Sequence, residues 1–331
     1  KIAVNGIDLQ RFLRDQKLHA GLLDISYADV EIYSNNAYKG KKTSKIGKDP
    51  LQQLQKVALD MKLNRVNLHN SKITYAEADA RSGYTGVINF ENTSGTFLNV
   101  TNDADAKRLN PFMLARIKTS FLGVEPLTVN FKFNLNARNG AFNYSGSLEQ
   151  FDGRKLDKLL KPLALVHIKS ADIQRLDFNV NASNYGGKGH LELYYKNLNV
   201  ELLKKDTGNL RLVKQGFISK IANALIIEND NPDKKGNFRP GPINLRREPT
   251  ASFFSFLYKA LLDGIKPSVG FSKKTETNIS SAVNQIGGLL DKYHKFKASR
   301  KQKREAKKKE EAIKNNRKKN LKKTKAALNE T

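Results

Sequence analysis

Few residues in this chain could do chemistry, and they do not cluster. Five histidines stand at His19, His69, His167, His190 and His294, with no HExxH pair and no spacing that would put two imidazoles on one helical face. There is no cysteine, so thiolate nucleophiles, thiolate zinc sites and disulfide staples are all excluded. Gly186-Gly187-Lys188-Gly189 is rich enough in glycine to suggest a phosphate cradle, but the GxxxxGK[ST] frame is missing. It also joins two alternating apolar runs rather than a strand and a helix, and is read as a turn. No GxSxG elbow occurs, and the many carboxylates cannot be paired from sequence. The expectation is a protein that is not an enzyme and uses neither metal nor cofactor.

Positive charge, in contrast, is abundant. The 331 residues carry 59 Lys+Arg against 32 Asp+Glu, a net charge of +27. Residues 291–331 hold 17 basic and 5 acidic residues, so an eighth of the chain supplies nearly half of the excess. A field of this sign favours anionic partners, either membrane phosphates or nucleic acid. The candidates for an anionic surface are Lys301, Lys303, Arg304, Lys307, Lys308, Lys309, Arg317, Lys318 and Lys319. A plain solubilising end is the bland alternative. The only aromatics of this tail, Tyr293 and Phe296, stand at its start, which argues against stacked bases and hence against nucleic acid. Beyond Lys297 the tail has too little apolar material to bury and is expected to be a solvated helix or disordered.

Elsewhere the dominant pattern has period two. From Leu127 to Leu135 every odd position is apolar and every even one polar, the signature of a half-buried strand. Asn139-Gly140 is a hairpin signal, after which Phe142, Tyr144 and Leu148 resume the pattern. Upstream, Ala115, Ile117, Thr119 and Phe121 form a third run that turns at Leu122-Gly123. Leu176, Phe178, Val180 and Ala182 make a second block, which returns through Leu191, Leu193 and Tyr195. The phase then slips, and a bulge is expected near Lys196-Asn197. The segments from Leu63 to Asn92 and from Leu165 to Asn197 share this layout and read as two copies of one unit.

Helical signals are fewer. Asp49-Pro50 opens a stripe of Leu51, Leu54, Val57 and Met61. Asp152 caps a short helix carrying Leu156, Leu159 and Leu160. Residues 207–227 read as an amphipathic helix through Leu210, Val213, Phe217, Ile221 and Leu225. Thr250 caps a greasy helix from Phe253 to Leu261, closed by Gly264 and Pro267. No run of about 18 apolar residues is present, so no segment is expected to span a bilayer as a helix.

These elements predict a mainly β protein with three regions: a β region over 1–205, an amphipathic helical closing segment over 206–270, and a basic tail over 271–331. The long antiparallel sheet either closes into a two-sheet sandwich or curls into an open groove. Its apolar face carries Val129, Phe131, Phe133, Phe142, Tyr144, Phe178, Val180, Leu191 and Leu193. These nine residues are ordinary core in the first case and line a lipid groove in the second.

Three segments resemble AsmA-like proteins of Gram-negative envelopes, in the style common among Bacteroidetes. The first holds Val66, Leu68, Asn70, Ile73, Tyr75, Glu77, Gly86, Ile88, Phe90, Asn99 and Thr101 in the family's strand-pair pattern. The second holds Gly146, Phe151, Leu156, Leu159, Leu160, Pro162, Gly189, Tyr195, Leu198 and Val200. The third holds Asn231-Pro232, Gly236, Arg239, Arg246-Arg247, Phe253, Phe254 and Gly264-Ile265-Lys266. The resemblance covers most of residues 1–270 and rests on the order of many weak motifs. It implies a periplasmic protein tied to outer-membrane biogenesis and anchored in the inner membrane by a segment upstream of Lys1. It further implies phospholipid or another envelope lipid as ligand, and envelope proteins as partners. The chain lacks an anchor of its own and is short for a bridge across the periplasm. The alternative, from charge alone, is a basic nucleic-acid-binding protein built on a β-sandwich.

Overall fold

The structure, a computed structural model, describes residues 1–38, 40–80, 82–123, 125–205, 212–214 and 227–271. The chain divides into two compact units, Lys1–Ser272 and Lys273–Thr331. All described residues belong to the first.

A single sheet of thirteen strands, not closed into a barrel, organises that unit. β1 (Ile2–Ile7), β2 (Lys17–Ser26) and β3 (Asp29–Asn35) precede a long hairpin of β4 (Asp60–Ala78) and β5 (Thr85–Thr101). A meander follows: β6 (Phe112–Phe121), β7 (Glu125–Asn134) and β8 (Phe142–Leu148). After the two-residue β9 (Phe151–Asp152) comes a second long hairpin, β10 (Val166–Ser183) and β11 (Gly186–Lys205), to which β12 (Leu212–Lys214) and β13 (Gly241–Arg246) both pair. The main path runs β1-β2-β4-β5-β6-β7-β8-β10-β11-β12, with β3 on β4 and β9 on β10.

The period-two segments form strands where their pattern predicts them. The turn at Leu122-Gly123 uses two positive φ angles, and Gly140 supplies another before β8. The two segments read as copies both become long bent hairpins. Register shifts interrupt β4 on either side of Ser71 and β10 between Ile168 and Arg175. The expected bulge is present: Asn197 is left-handed, and the β10–β11 register slips between Ser170↔Asn199 and Asp172↔Lys196.

The mainly β class holds, and Asp152 caps the turn that leads into the short helix carrying Leu159 and Leu160, but other expectations need correction. The sheet is mixed, because β2 and β3 lie end to end along β4 and run parallel to it. Neither strand alternates cleanly, and the crossover through residues 36–59 leaves no local trace of the pairing. Among the described residues one sheet carries all the strands, and no second sheet packs on it as a sandwich. Within the expected helix at 207–227, Leu212–Lys214 are strand, paired antiparallel to Leu203–Lys205 at the end of β11. The open strand edge there prevails over the apolar spacing. The rest of that expected helix lies outside the described residues.

The closing segment is not uniformly helical either, since it contains β13. The helix begun at Asp49-Pro50 stops at Leu54, with Val57 exposed beyond it and Met61 already in β4. The greasy helix is capped by Ser252, whose Oγ accepts from the Ser255 N–H, and it runs through Gly264 and Pro267 to Ser268. Five helices are described: α1 (Leu9–Asp15), α2 (Pro50–Leu54), α3 (Ala104–Leu109), α4 (Asp157–Ala164) and α5 (Phe253–Ser268), with a 3-10 turn at Gly153–Leu156 before α4. None of them is long and apolar enough to cross a membrane.

Candidate functional site

Residues facing each other across a sheet share a face, so strand register decides which side chains line up. Here it aligns two apolar rows that each cross ten strands. One runs Ile2, Ile25, Leu68, Gly95, Ile117, Val129, Gly146, Phe178, Leu191 and Gly241. The other runs Val4, Leu23, Val66, Phe97, Ala115, Phe131, Tyr144, Val180, Gly189 and Ile243. No charged side chain interrupts either row.

At the β8–β13 end, α5 lies on these rows. Phe253 packs on Phe142 with ring centroids 5.5 Å apart, and the Tyr144 hydroxyl donates to the Leu257 carbonyl at 3.1 Å. Gly264 has no Cβ because one would stand 2.7 Å from Ile243 and 2.9 Å from the Gly241 carbonyl oxygen. Gly146 likewise leaves room for the Phe178 ring. Val180 and Leu191 are fully buried as a result. Helix α4 covers the same face further along, where Leu159 and Leu163 pack on Tyr75 and Ile88.

Buried polar contacts hold α5 in place. The Arg247 guanidinium, with no exposure, donates to both Asp49 oxygens at 2.6 Å. The Glu77 carboxylate accepts from Tyr75 at 2.5 Å, Asn36 at 2.7 Å and Tyr258 at 2.9 Å. Ser252 stands 3.0 Å from the Tyr75 hydroxyl, and Phe254 stacks on the Tyr75 ring. Burial, reinforced by the Glu77 charge, pushes the Tyr75 and Tyr258 phenols well above their usual range, and burial alone does so for Tyr144. Past the helix, Tyr195 donates to the Glu228 and Ser268 carbonyls, and Asn231 donates to the Leu193 and Arg239 carbonyls.

The β1–β7 end is different. Its cluster of Ala20, Leu63, Val66, Leu23, Ile25, Phe97 and Val100 consists of strand residues and includes none of α4 or α5; Ala20, Leu63 and Val66 are buried, and Val100 also packs beside the α2 residues Leu51 and Leu54. Leu23, Ile25, Leu68, Phe97, Ile117, Val129 and Phe131 are half-buried, and exposure rises to 40% at Val4 and 71% at Ile2. Five strand-to-strand steps of about 4.8 Å give this open stretch a run of roughly 24 Å.

The nine residues proposed to face lipid therefore divide. Phe142, Tyr144, Phe178, Val180, Leu191 and Leu193 are sealed core, covered by the protein itself. Val129, Phe131 and Phe133 are half-buried at the margin of the cover. Phe131 stacks on Phe133 at 5.3 Å, and Phe133 also packs beside Leu51 and Leu54 of α2. The open-face residues Leu23, Ile25, Leu68 and Phe97 escape sequence reasoning because β2 and the β4 pairing were not legible. The basic candidates at 301–319 lie outside the described residues.

The four described histidines sit apart, and His294 lies outside the described residues. His69 pairs with Asp24 at 3.1 Å and His167 with Asp157 at 2.7 Å; His190 is exposed on the other face of the sheet. His19 lies 3.9 Å from Asp103, with its pKa held low by burial and then by Arg11. Among the described residues no group of three His, Asp or Glu could hold a metal ion. Gly186 to Gly189 form the first residues of β11, after the Asn184-Tyr185 turn. Compared with protein-family models, curated proteins and solved structures, the chain matches none of them.

Proposed function

We propose that this protein is a non-catalytic lipid-handling scaffold of the cell envelope, of the AsmA-like kind, whose open apolar face accepts acyl chains. One observation carries the proposal: two apolar rows cross ten strands, and α5 covers only one end of them. Each large apolar side chain moved from water to an apolar neighbour gains about 1.5–3 kcal/mol, in proportion to the area removed. A half-buried row keeps part of that gain for a ligand. The open stretch of roughly 24 Å exceeds the ~15 Å of one leaflet's hydrocarbon, half of a ~30 Å core, so an acyl chain fits along it. The net charge of +27 suits an anionic membrane surface, where each basic residue contributes about 1 kcal/mol. On this proposal Lys301 to Lys319 make that contact. The ligand is phospholipid or another envelope lipid, the partners are envelope proteins, and the place is the periplasm, with an inner-membrane anchor upstream of Lys1.

The test compares the two ends of one row. Val129→Glu at the open end leaves its carboxylate in reach of water, so the protein folds but no longer co-purifies with phospholipid. Phe178→Glu, beneath the cover, buries a charge and unfolds the protein. Lipid is read by mass spectrometry of gently purified protein, and folding by circular dichroism. Absence of lipid from the wild type, or full lipid on the folded Val129→Glu protein, would refute the proposal.

A further inference from the structure

The geometry points to a second site, over a row of polar side chains on the face opposite α5: a cleft that binds a phosphate-bearing saccharide. The register that aligns the apolar rows also aligns a polar one, one residue out of phase: Lys132, Asn143, Asn181, Lys188 and Asn244 across β7, β8, β10, β11 and β13. Alternation places these on the other side of the sheet from Tyr144 and Val180. A cleft of about 790 Å³ opens over them, beside the Asn184-Tyr185 turn and Arg246.

Three features of the cleft select the ligand. Its sixteen lining residues include Lys132, Lys188 and Arg246 and no acid. Arg14, Arg108, Arg154, Arg175 and Arg247 each rest on a carboxylate, but none of these three cations forms an ion pair among the described residues. Among the described residues the one carboxylate bonded to a lining residue is Asp263, which accepts from the Asn244 backbone N–H at 2.9 Å. The site therefore favours an anion, and lysine and arginine donors bind phosphate through charge-assisted hydrogen bonds.

Secondly, four asparagines line it, and Asn143 already donates to the Asn179 and Asn181 side-chain oxygens at 2.7 and 3.1 Å. Amides offer donors and acceptors side by side, the complement of neighbouring sugar hydroxyls. Thirdly, Tyr185 at the rim is 74% exposed and offers a flat face on which a sugar ring can lie. Phe112 is already taken, with the Lys132 ammonium 4.2 Å above its ring. That leaves one free aromatic, whereas single-stranded nucleic acid needs several in succession. The volume lies within the ~300–1,000 Å³ usual for small-ligand sites and is far more than an inorganic phosphate would fill.

The ligand is thus a sugar ring with a phosphate, free or as a lipid headgroup. Isothermal titration with glucose 1-phosphate, with glucose as control, tests the free form. Vesicles carrying phosphatidylinositol, compared with equal phosphatidylglycerol, test the lipid-borne form. Binding of glucose 1-phosphate without glucose, or preference for phosphatidylinositol, supports the site. Either must weaken at least tenfold in Lys132→Gln/Lys188→Gln and severalfold in Tyr185→Ser, all exposed positions whose folding circular dichroism verifies. The site is overturned if the wild type binds neither form, or if the double variant binds like the wild type. It is equally overturned if an oligonucleotide, and not glucose 1-phosphate, binds in a Lys132- and Lys188-dependent way. The glucose 1-phosphate titration involves no acyl chain, so failure here and failure of the acyl-chain proposal are told apart.

Discussion

Removing the Arg247 side chain should release α5 from the sheet. Arg247 lies between β13 and α5, and Asp49 immediately precedes α2, 198 residues away in sequence. Both carboxylate oxygens accept from the guanidinium at 2.6 Å, a third contact reaches the Ala251 carbonyl at 3.3 Å, and the group lies 4.8 Å over the Phe256 ring. With Arg247→Ala, Asp49 stays buried at 6% exposure and loses its countercharge. Breaking one side of a buried pair costs about 3–5 kcal/mol, a large part of the ~5–15 kcal/mol that holds a domain together. For a unit of roughly 270 residues, with an unfolding entropy of about 2.1 cal/mol/K per residue, the melting midpoint should fall by about 5–9 °C. Urea unfolding followed by circular dichroism measures the loss. The double variant Asp49→Leu/Arg247→Met discriminates the cause. It removes both charges while keeping apolar volume, and should recover most of the stability. A single variant costing under about 1 kcal/mol, or a double variant as damaged as the single, would show that the buried charge is not what holds this corner.

Two other outcomes are expected. The folded state holds Tyr75, Tyr144, Tyr195 and Tyr258 protonated, with pKa values raised by burial above the unfolded value of about 10. Their contribution is therefore complete below pH ~10 and is lost as pH rises. Tyrosinate absorbance should show four of the eleven tyrosines ionising only as the protein unfolds, and ionisation of all eleven in a still-folded protein would refute it. Gly264→Ala should destabilise by about 1–3 kcal/mol through overpacking, although alanine is the better helix former by ~1 kcal/mol. The new methyl would meet Ile243 and the Gly241 carbonyl, and a thermal melt unchanged or raised would contradict that contact.

The sequence was most legible where structure is local. Strict alternation from Leu127 to Leu135 specified β7 and the face of each of its side chains, and the phase slip at Asn197 marked a true bulge. Illegible features depended on distant partners. Nothing in Lys17–Asn35 announces two consecutive strands lying parallel to β4, because the pairing is made across a crossover rather than a turn. Leu212–Lys214 carries helical apolar spacing yet serves the free edge of β11. Alternation also showed which face was apolar without showing what covered it, so sealed Phe178 and half-buried Val129 looked alike. The polar row of the second cleft was written in the opposite phase of the same strands, in Lys132, Asn143, Asn181 and Lys188. It becomes visible only when strand register brings those four positions into one row.

The two ends of the apolar face set the same physical problem and meet it differently. At one end the chain supplies its own cover, and the contact is close: a glycine where helix meets strand, rings stacked 5–6 Å apart, and buried ionic and tyrosine contacts reaching back to Asp49 and Glu77. At the other end the register is just as regular, but neither α4 nor α5 contributes a residue to the cluster around Val66 and Phe97. A sheet needs its apolar rows to specify register, since a slip of one residue would exchange its faces. Register alone accounts for apolar residues at Ile25 and Leu68, but not for leaving them half-buried, because a covering helix like α5 would have added stability at each position. A face kept regular yet uncovered suits a ligand that is itself apolar, extended and exchangeable. On the function proposed above, an acyl chain lying across the strands meets all three requirements, and the contrast between Val129→Glu and Phe178→Glu follows from the same geometry.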